Sequence, residues 1–213
     1  MKHSYIPWHP AFIAAVQMEL EDYKDSLEFH SEFQLTTEPL KIDCVIIKKA
    51  KNVIINKNFA SIFRDVNLLE YKNPDDYISV DDFYKVYAYA CLYASFEKTP
   101  MTRMTISFIQ SRKPRKLINH LEKIRGYTVD KASFGIYTVK GDILPIQIVD
   151  NRQLTAEDNL WLKGLSKRLD PNMMVRLGDA IGRYDKDAKI NAYFDAVTRA
   201  NFKAIEEARK MSS

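Results

Sequence analysis

Glycine is scarce, with 6 in 213 residues, which argues against long loops and for an ordered chain. Cysteine is scarcer still. Cys44 and Cys91 are the 2 present, each set in an apolar pattern, and two lone thiols make no disulfide framework. They read as reduced core residues of a cytoplasmic protein. No uninterrupted run of about 18 apolar residues occurs, so no segment is expected to span a membrane. Met1-Lys2-His3-Ser4-Tyr5 lacks the apolar core of a secretory signal. The sequence contains no glycine-rich phosphate loop, no nucleophile elbow and no Cys-x-x-Cys pair, which removes the enzyme classes built on those motifs. His3, His9, His30 and His120 fall at no metal-ligand spacing and read as surface or packing residues. Repeats and low-complexity segments are absent.

What is present is enough apolar residue, 46% of the chain, to bury a real core in one domain with an appendage or in two small domains. The formal net charge of +4 conceals a segregation. Residues 1–97 carry 10 Lys/Arg against 15 Asp/Glu, residues 98–131 carry 9 against 2, and residues 132–213 carry 13 against 11. A mildly acidic body beside a concentrated basic block suits a binder of phosphate backbones; a solvated basic helix is the plainer alternative.

The pattern predicts a helix over about 11–24, with Phe12, Ala15, Val16, Leu20 and Tyr23 as its buried stripe. Phe29 to Leu35 alternates as a strand, and Thr36-Thr37-Glu38-Pro39 is a turn. Leu40 to Ile47 and Val66 to Lys72 are rich in β-branched and apolar residues and read as strands. Between them lie a polar loop at 48–52, a short extra strand at Val53-Ile54-Ile55 and a helical turn at 59–63. Asn73-Pro74-Asp75-Asp76 is a turn. Ser79 and Asp82 have the spacing of a capping box, opening a helix whose apolar stripe is Phe83, Val86, Tyr87, Ala90, Cys91 and Ala94. Met104 to Ile109 is a strand. A helix follows the basic cluster as far as Arg125, and short strands lie near 126–129, 135–139 and 144–149. From Thr155 the pattern is helical, with breaks at Asp170-Pro171 and near Tyr184-Asp185. The division is therefore an α/β domain over 1–150 and a helical C-terminal extension over 151–213.

Several charges fall where apolar burial is expected. Asp43 shares a strand face with Val45 and Ile47. Glu70 and Lys72 share a face with Leu68, while Tyr71 points to the other side. Glu19 lies on the stripe of the first helix. Buried carboxylates are costly unless they are paired or hold a metal. Lysine two residues after glutamate on a strand lies about 6.5–7 Å along the same face, a spacing that serves a metal-bound water better than it neutralises the glutamate. Carboxylates that hold Mg²⁺, together with one ammonium, form the equipment of phosphodiester hydrolysis.

Asp43, followed on the next core strand by Glu70-Tyr71-Lys72, resembles the PD-(D/E)XK nuclease superfamily, and the order helix, three strands, helix, strand is similar to that superfamily's restriction-endonuclease-like αβββαβ core. Pro39-Leu40-Lys41-Ile42-Asp43, Ile46-Ile47-Lys48-Lys49, Leu69-Glu70-Tyr71-Lys72, Pro74-Asp75-Asp76-Tyr77, Asp82-Phe83-Tyr84-Lys85-Val86, Gly135-Ile136-Tyr137 and Pro145-Ile146-Gln147-Ile148 resemble bacterial transposase-like members, near the recombination-promoting nucleases. The likeness covers roughly residues 9–110 and more weakly reaches about 165. It implies a metal-dependent DNA endonuclease. Asp43 and Glu70 would be ligands of Mg²⁺ (or Mn²⁺), Lys72 the catalytic lysine and Glu19 the helix-borne acid. Arg112, Lys113, Arg115 and Lys116 would contact DNA phosphates. One departure is that Ile42, and not proline, precedes Asp43. The acid-x-lysine triplets Asp22-Tyr23-Lys24 and Asp187-Ala188-Lys189 lie in helical patterns and follow no Asp-bearing strand. Glu32 and Glu38 flank the site strand and are candidate supporting acids, with exposed loop positions as the alternative.

Other readings stay open. Glu70 and Lys72 can form a plain strand-end ion pair. The same fold can serve as a catalytically silent DNA-binding or assembly protein that forms a homodimer through its C-terminal helices. Nothing in the sequence reads a 2′-hydroxyl, so an RNA nuclease is the third reading.

Overall fold

A mixed seven-stranded sheet forms the centre of the molecule in the computed structural model, which describes residues 6, 8–34, 41–48, 53–184 and 188–211. The chain opens with helix α1 (Trp8–Glu19) and a 3₁₀ turn (Glu21–Ser26). Strands β1 (Leu27–Gln34), β2 (Lys41–Lys48) and β3 (Val66–Tyr71) follow, then α2 (Val80–Phe96), β4 (Met104–Gln110) and α3 (Arg115–Lys123). Strands β5 (Thr128–Ser133), β6 (Ile136–Lys140) and β7 (Ile146–Asp150) complete the sheet, in spatial order β1-β2-β3-β4-β7-β6-β5. β1, β2 and β3 pair antiparallel, β3, β4 and β7 run parallel, and β7, β6 and β5 pair antiparallel. Helices α4 (Leu160–Gly164), α5 (Pro171–Ile181), α6 (Ala188–Ala200) and α7 (Phe202–Met211) end the described chain.

β3 and β4 are buried at every position, as expected for central strands covered on both faces. Alternation divides β3 between two cores. Val66 and Leu68 join Phe83, Val86, Leu117 and Leu121 under α2 and α3. Leu69 and Tyr71 join Phe12, Ala15, Trp161, Leu177 and Tyr193 under α1 and the C-terminal helices. Helices α4 to α7 therefore share one apolar cluster with α1. Gly135 (φ +76°) makes the turn into β6. Its carbonyl accepts the Asp150 N–H at 2.7 Å, and a Cβ there would lie 2.6 Å from the Asp150 carbonyl oxygen. This close approach pins the end of β7.

Three local expectations differ from what forms. Val53-Ile54-Ile55 is irregular and Ile54 is 79% exposed. The first helix ends at Glu19, and Tyr23 lies in the 3₁₀ turn. Cys91 is exposed, because α2 is rotated so that Tyr89 and Tyr93 take the buried stripe. Tyrosine buries more apolar area than cysteine and keeps its hydroxyl at the rim. Cys44 is buried as expected. The turn at 36–39, with Glu38, the loop at 49–52, and His3, Asp185 and Asp187 lie outside the described residues. Among the described residues no helix is long and apolar enough to cross a membrane.

Candidate functional site

The antiparallel ladder between β2 and β3 ends at the pair Cys44↔Leu69. One step further along the same register, Asp43 faces Glu70. Here the Asp43 side chain replaces a strand partner, its Oδ2 accepting the Tyr71 N–H at 2.8 Å. Its Oδ1 lies 3.2 Å from Nδ1 of His9, in the first turn of α1. The His9 ring meets Tyr71 edge-on, and Tyr71 stacks on Phe12 with centroids 4.6 Å apart. Asp43 is thus held by one main-chain and one side-chain donor while remaining partly open to solvent. The hydrogen bond to Asp43 holds the His9 pKa above its ordinary value, outweighing the opposing effect of burial.

Glu70 is 3% exposed. Burial, reinforced by the charge of Asp43, pushes its carboxyl up to about 7, against the opposing pull of Lys85 and Lys72. Those two lysines approach Oε1 no closer than 3.5 and 3.6 Å, so the carboxylate is only loosely compensated. Lys72 is tied instead to Asp82, Nζ to Oδ1, at 2.9 Å. Asp82 is the N3 residue of the capping box that opens α2. Its Oδ2 accepts both the N–H and the O–H of Ser79, and its own N–H donates to Ser79 Oγ. The chemistry that starts the helix therefore also aims the lysine. Burial alone would lower the Lys72 pKa, but the Asp82 hydrogen bond and the Glu70 charge reverse this and raise it, so Lys72 is an ammonium at neutral pH.

Glu19 is not part of this cluster. It sits ten residues beyond His9 on α1, about 15 Å along the axis at 1.5 Å per residue. Its Oε1 accepts the N–H groups of Trp161 (2.6 Å) and Leu162 (3.1 Å), and its Oε2 pairs with Lys57 Nζ at 3.1 Å. It satisfies orphan donors at the start of α4. That is a correction to its expected place beside Asp43: the buried-stripe position was right, and the partner is a distant helix.

The basic cluster runs from the turn after β4 into the first turn of α3, at the carboxyl ends of the parallel strands, where crevices form in α/β sheets. Lys72 donates its N–H to the Ile109 carbonyl, which brings the lysine beside the end of β4. Arg112 Nη2 donates to the Pro74 carbonyl at 3.1 Å. Lys113 Nζ stands 4.4 Å from the Tyr137 ring centroid. Arg112, Lys113, Arg115 and Lys116 line a groove of about 790 Å³ with Tyr77, Gln110 and Asp150. A second cavity of about 410 Å³ shares Ser111, Arg112 and Arg152 with it and adds Lys167 and Arg168.

The structure therefore brings Asp43, Glu70 and Lys72 together, places Arg112 to Lys116 on the adjacent edge, and sends Glu19 elsewhere. Of the two supporting acids, Glu32 lies in β1. His9, Asp82, Lys85, Arg152 and Arg168 were not identified from the sequence as site residues, although Asp82 reads as a helix cap. Lys85 follows Asp82 by three residues, one turn along the same helical face, a signal that could have found it; His9 carries none. Asp43 and Glu70 are the two carboxylates of this cluster that could hold a cation. Among the described residues no group of three or more His, Cys, Asp or Glu side chains lies close enough to hold one. Comparison with protein-family models, with curated proteins and with solved structures finds no match to this chain.

Proposed function

We propose that the protein is a divalent-metal-dependent DNA endonuclease of the PD-(D/E)XK type. The observation that carries this reading is the meeting of Asp43, Glu70 and Lys72 where β2 and β3 part, beside a cationic groove. The order α1-β1-β2-β3-α2-β4, similar to the restriction-endonuclease-like core, supports it.

Two carboxylates suit Mg²⁺ or Mn²⁺, since Mg²⁺ is commonly held by one or two carboxylates, substrate phosphate oxygens and retained waters. Asp43 and Glu70 would hold the cation; its chemistry is to polarise the scissile phosphate and lower the pKa of a bound water. Asp43, fixed by Tyr71 N–H and His9, keeps its remaining lone pairs in a set direction. Glu70, raised by burial and loosely compensated, gains most from an added positive charge. Lys72 presents an ammonium that offsets the extra negative charge on pentacovalent phosphorus and the leaving oxygen. Asp82 holds that ammonium in place, so little reorganisation is needed. The groove cations give phosphate affinity without choosing sequence.

A second reading, a catalytically silent DNA-binding or assembly protein, draws on one observation. Lys72 and Lys85 already meet Glu70 and Asp82 within 4 Å, a closed ion cluster that balances its own charge without a cation. Incubation of supercoiled plasmid with Mg²⁺ or Mn²⁺ decides between them. Nicking by the wild type that is lost in Asp43→Ala and in Lys72→Ala establishes the nuclease. Salt-sensitive plasmid retention with no cleavage favours the silent protein, and equal cleavage by all three removes these residues from the chemistry.

A further inference from the structure

We propose that the groove at the carboxyl ends of β4 and β7 holds a single-stranded DNA segment, with phosphates on Arg112, Arg115, Lys116, Arg152 and Arg168 and a base on Tyr77. The inference rests on the nuclease reading for the identity of the polyanion and specifies the strand form that reaches the site.

Four observations carry it. First, the two cavities are neighbours, with Ser111, Arg112 and Arg152 in the lining of both. They join the basic turn after β4 to residues from the region past β7, to which the sequence assigned no chemistry. Second, among the described residues the side chains of Arg115, Lys116, Arg152 and Arg168 make no hydrogen bond or ion pair. Lys167, by contrast, is neutralised by Asp75 at 2.6 Å. Arg152 feels the charge of the neighbouring Asp150 without pairing to it, and among the described residues Arg115, Lys116 and Arg168 have no such partner; spread over the two cavities, these four cations suit a chain of phosphates. Third, Arg168 has φ +63°, a left-handed conformation that costs a non-glycine residue free energy and that recurs at ligand clamps. Fourth, Tyr77 lines the same groove and is 53% exposed, so its ring is open for stacking. A cationic groove with an accessible aromatic is how single strands are held without sequence preference, because every base has a π-face. A duplex keeps its bases stacked on one another and is read by elements that project into its grooves. These cations line two cavities of the size that takes a drug-sized ligand, which suits a single nucleotide unit. Arg112, bonded to the Pro74 carbonyl two residues past Lys72, links the track to the reacting centre.

The test is fluorescence anisotropy of labelled 12-nucleotide probes with the full chain in EDTA, where no turnover occurs. The probes are single-stranded DNA, duplex DNA and single-stranded RNA of one sequence. Single-stranded DNA is expected to bind tightest. Arg152→Ala combined with Arg168→Ala should weaken it at least tenfold and reduce the slope of log affinity against log salt by about 1.4, at roughly 0.7 per single-strand phosphate contact. Tyr77→Ala should weaken it about tenfold with the slope unchanged, and Tyr77→Phe should restore it. Both arginines are exposed, so the variants are expected to keep the wild-type melting temperature. Tighter duplex binding, tighter RNA binding, or wild-type affinity and slope in the double variant would overturn the proposal. Plasmid cleavage with unaltered variant binding would leave the nuclease and remove the groove. Groove-dependent binding by a protein that never cleaves would do the reverse.

Discussion

Glu19 and Glu70 are two buried glutamates, each 3% exposed, and in both burial raises the carboxyl pKa. Their surroundings differ in kind. Glu19 receives two main-chain N–H donors and a lysine within 3.1 Å, so its negative charge is matched on both oxygens. Glu70 has another acid as a neighbour, and its two lysines stand 3.5 and 3.6 Å away. The first arrangement joins α1 to α4; the second leaves a carboxylate that a cation would relieve. Burial of an acid therefore does not mark a site by itself. The distinguishing feature is whether the protein has already provided every partner the charge needs.

The largest expected separation between them is in catalysis. Glu70→Gln keeps the shape and removes the charge, and cleavage of plasmid should fall by two to three orders of magnitude, comparable to losing one preorganised transition-state group. Glu19→Gln should leave the cleavage rate per folded molecule unchanged. Equal losses in both would erase the distinction. Stability should invert the pattern. Glu19→Ala leaves the Trp161 and Leu162 N–H groups and the Lys57 ammonium without their acceptor and should cost about 3 kcal/mol, read as a lowered urea midpoint.

The titration of Glu70 supplies the next test. Its ordinary carboxyl value is near 4.5 and its folded value is about 7, so the folded state keeps a proton that the unfolded state releases. Stability from this group is complete below about 4.5 and is lost as pH rises through about 7. In metal-free protein the loss between pH 5 and pH 8 should be on the order of 2 kcal/mol, with Glu70→Gln showing a flatter profile over that window. Added Mg²⁺ should restore the wild type at pH 8 and leave the variant unmoved. Identical wild-type and Glu70→Gln profiles would mean that the folded protein already compensates this charge.

How much of this was legible in the sequence follows from the range of the interactions. Ser79 and Asp82 announced their cap because its partners are three residues apart, and Asp170-Pro171 announced the start of α5 in the same way. β3 was readable because both of its faces are buried and its run is mostly apolar, with Asn67 and Glu70 as the exceptions. The phase of α2 was not: Tyr89 and Cys91 compete for the buried stripe on nearly equal periodic terms, and packing against the sheet decides it. Glu19 read as a site acid because its partners, Trp161 and Leu162, lie more than 140 positions away. The clustering of Arg152 and Arg168 with Arg112 was equally hidden, since it comes from strand ends meeting in space. The resemblance to a nuclease core drew on the short-range signals, and the groove's composition drew on the long-range ones.

The smallest effect sharpens the comparison most, because it concerns a residue that touches the site without belonging to the acid–acid–lysine set. His9 is 55% exposed along its side chain and lies 3.2 Å from Asp43 Oδ1. An exposed pair of this kind contributes on the order of 0.5 kcal/mol, so His9→Ala should scarcely alter the melting temperature. If His9 orients Asp43 as a ligand, removing it should weaken Mn²⁺ binding severalfold by calorimetry, in the manner of a residue that fixes a ligand from behind. His9→Gln offers a donor of similar reach and should recover most of that loss. Unchanged Mn²⁺ affinity in both variants would show that the Tyr71 N–H alone is sufficient to hold Asp43. The site would then be built by the parting of two strands, and α1 would serve it only by covering Tyr71.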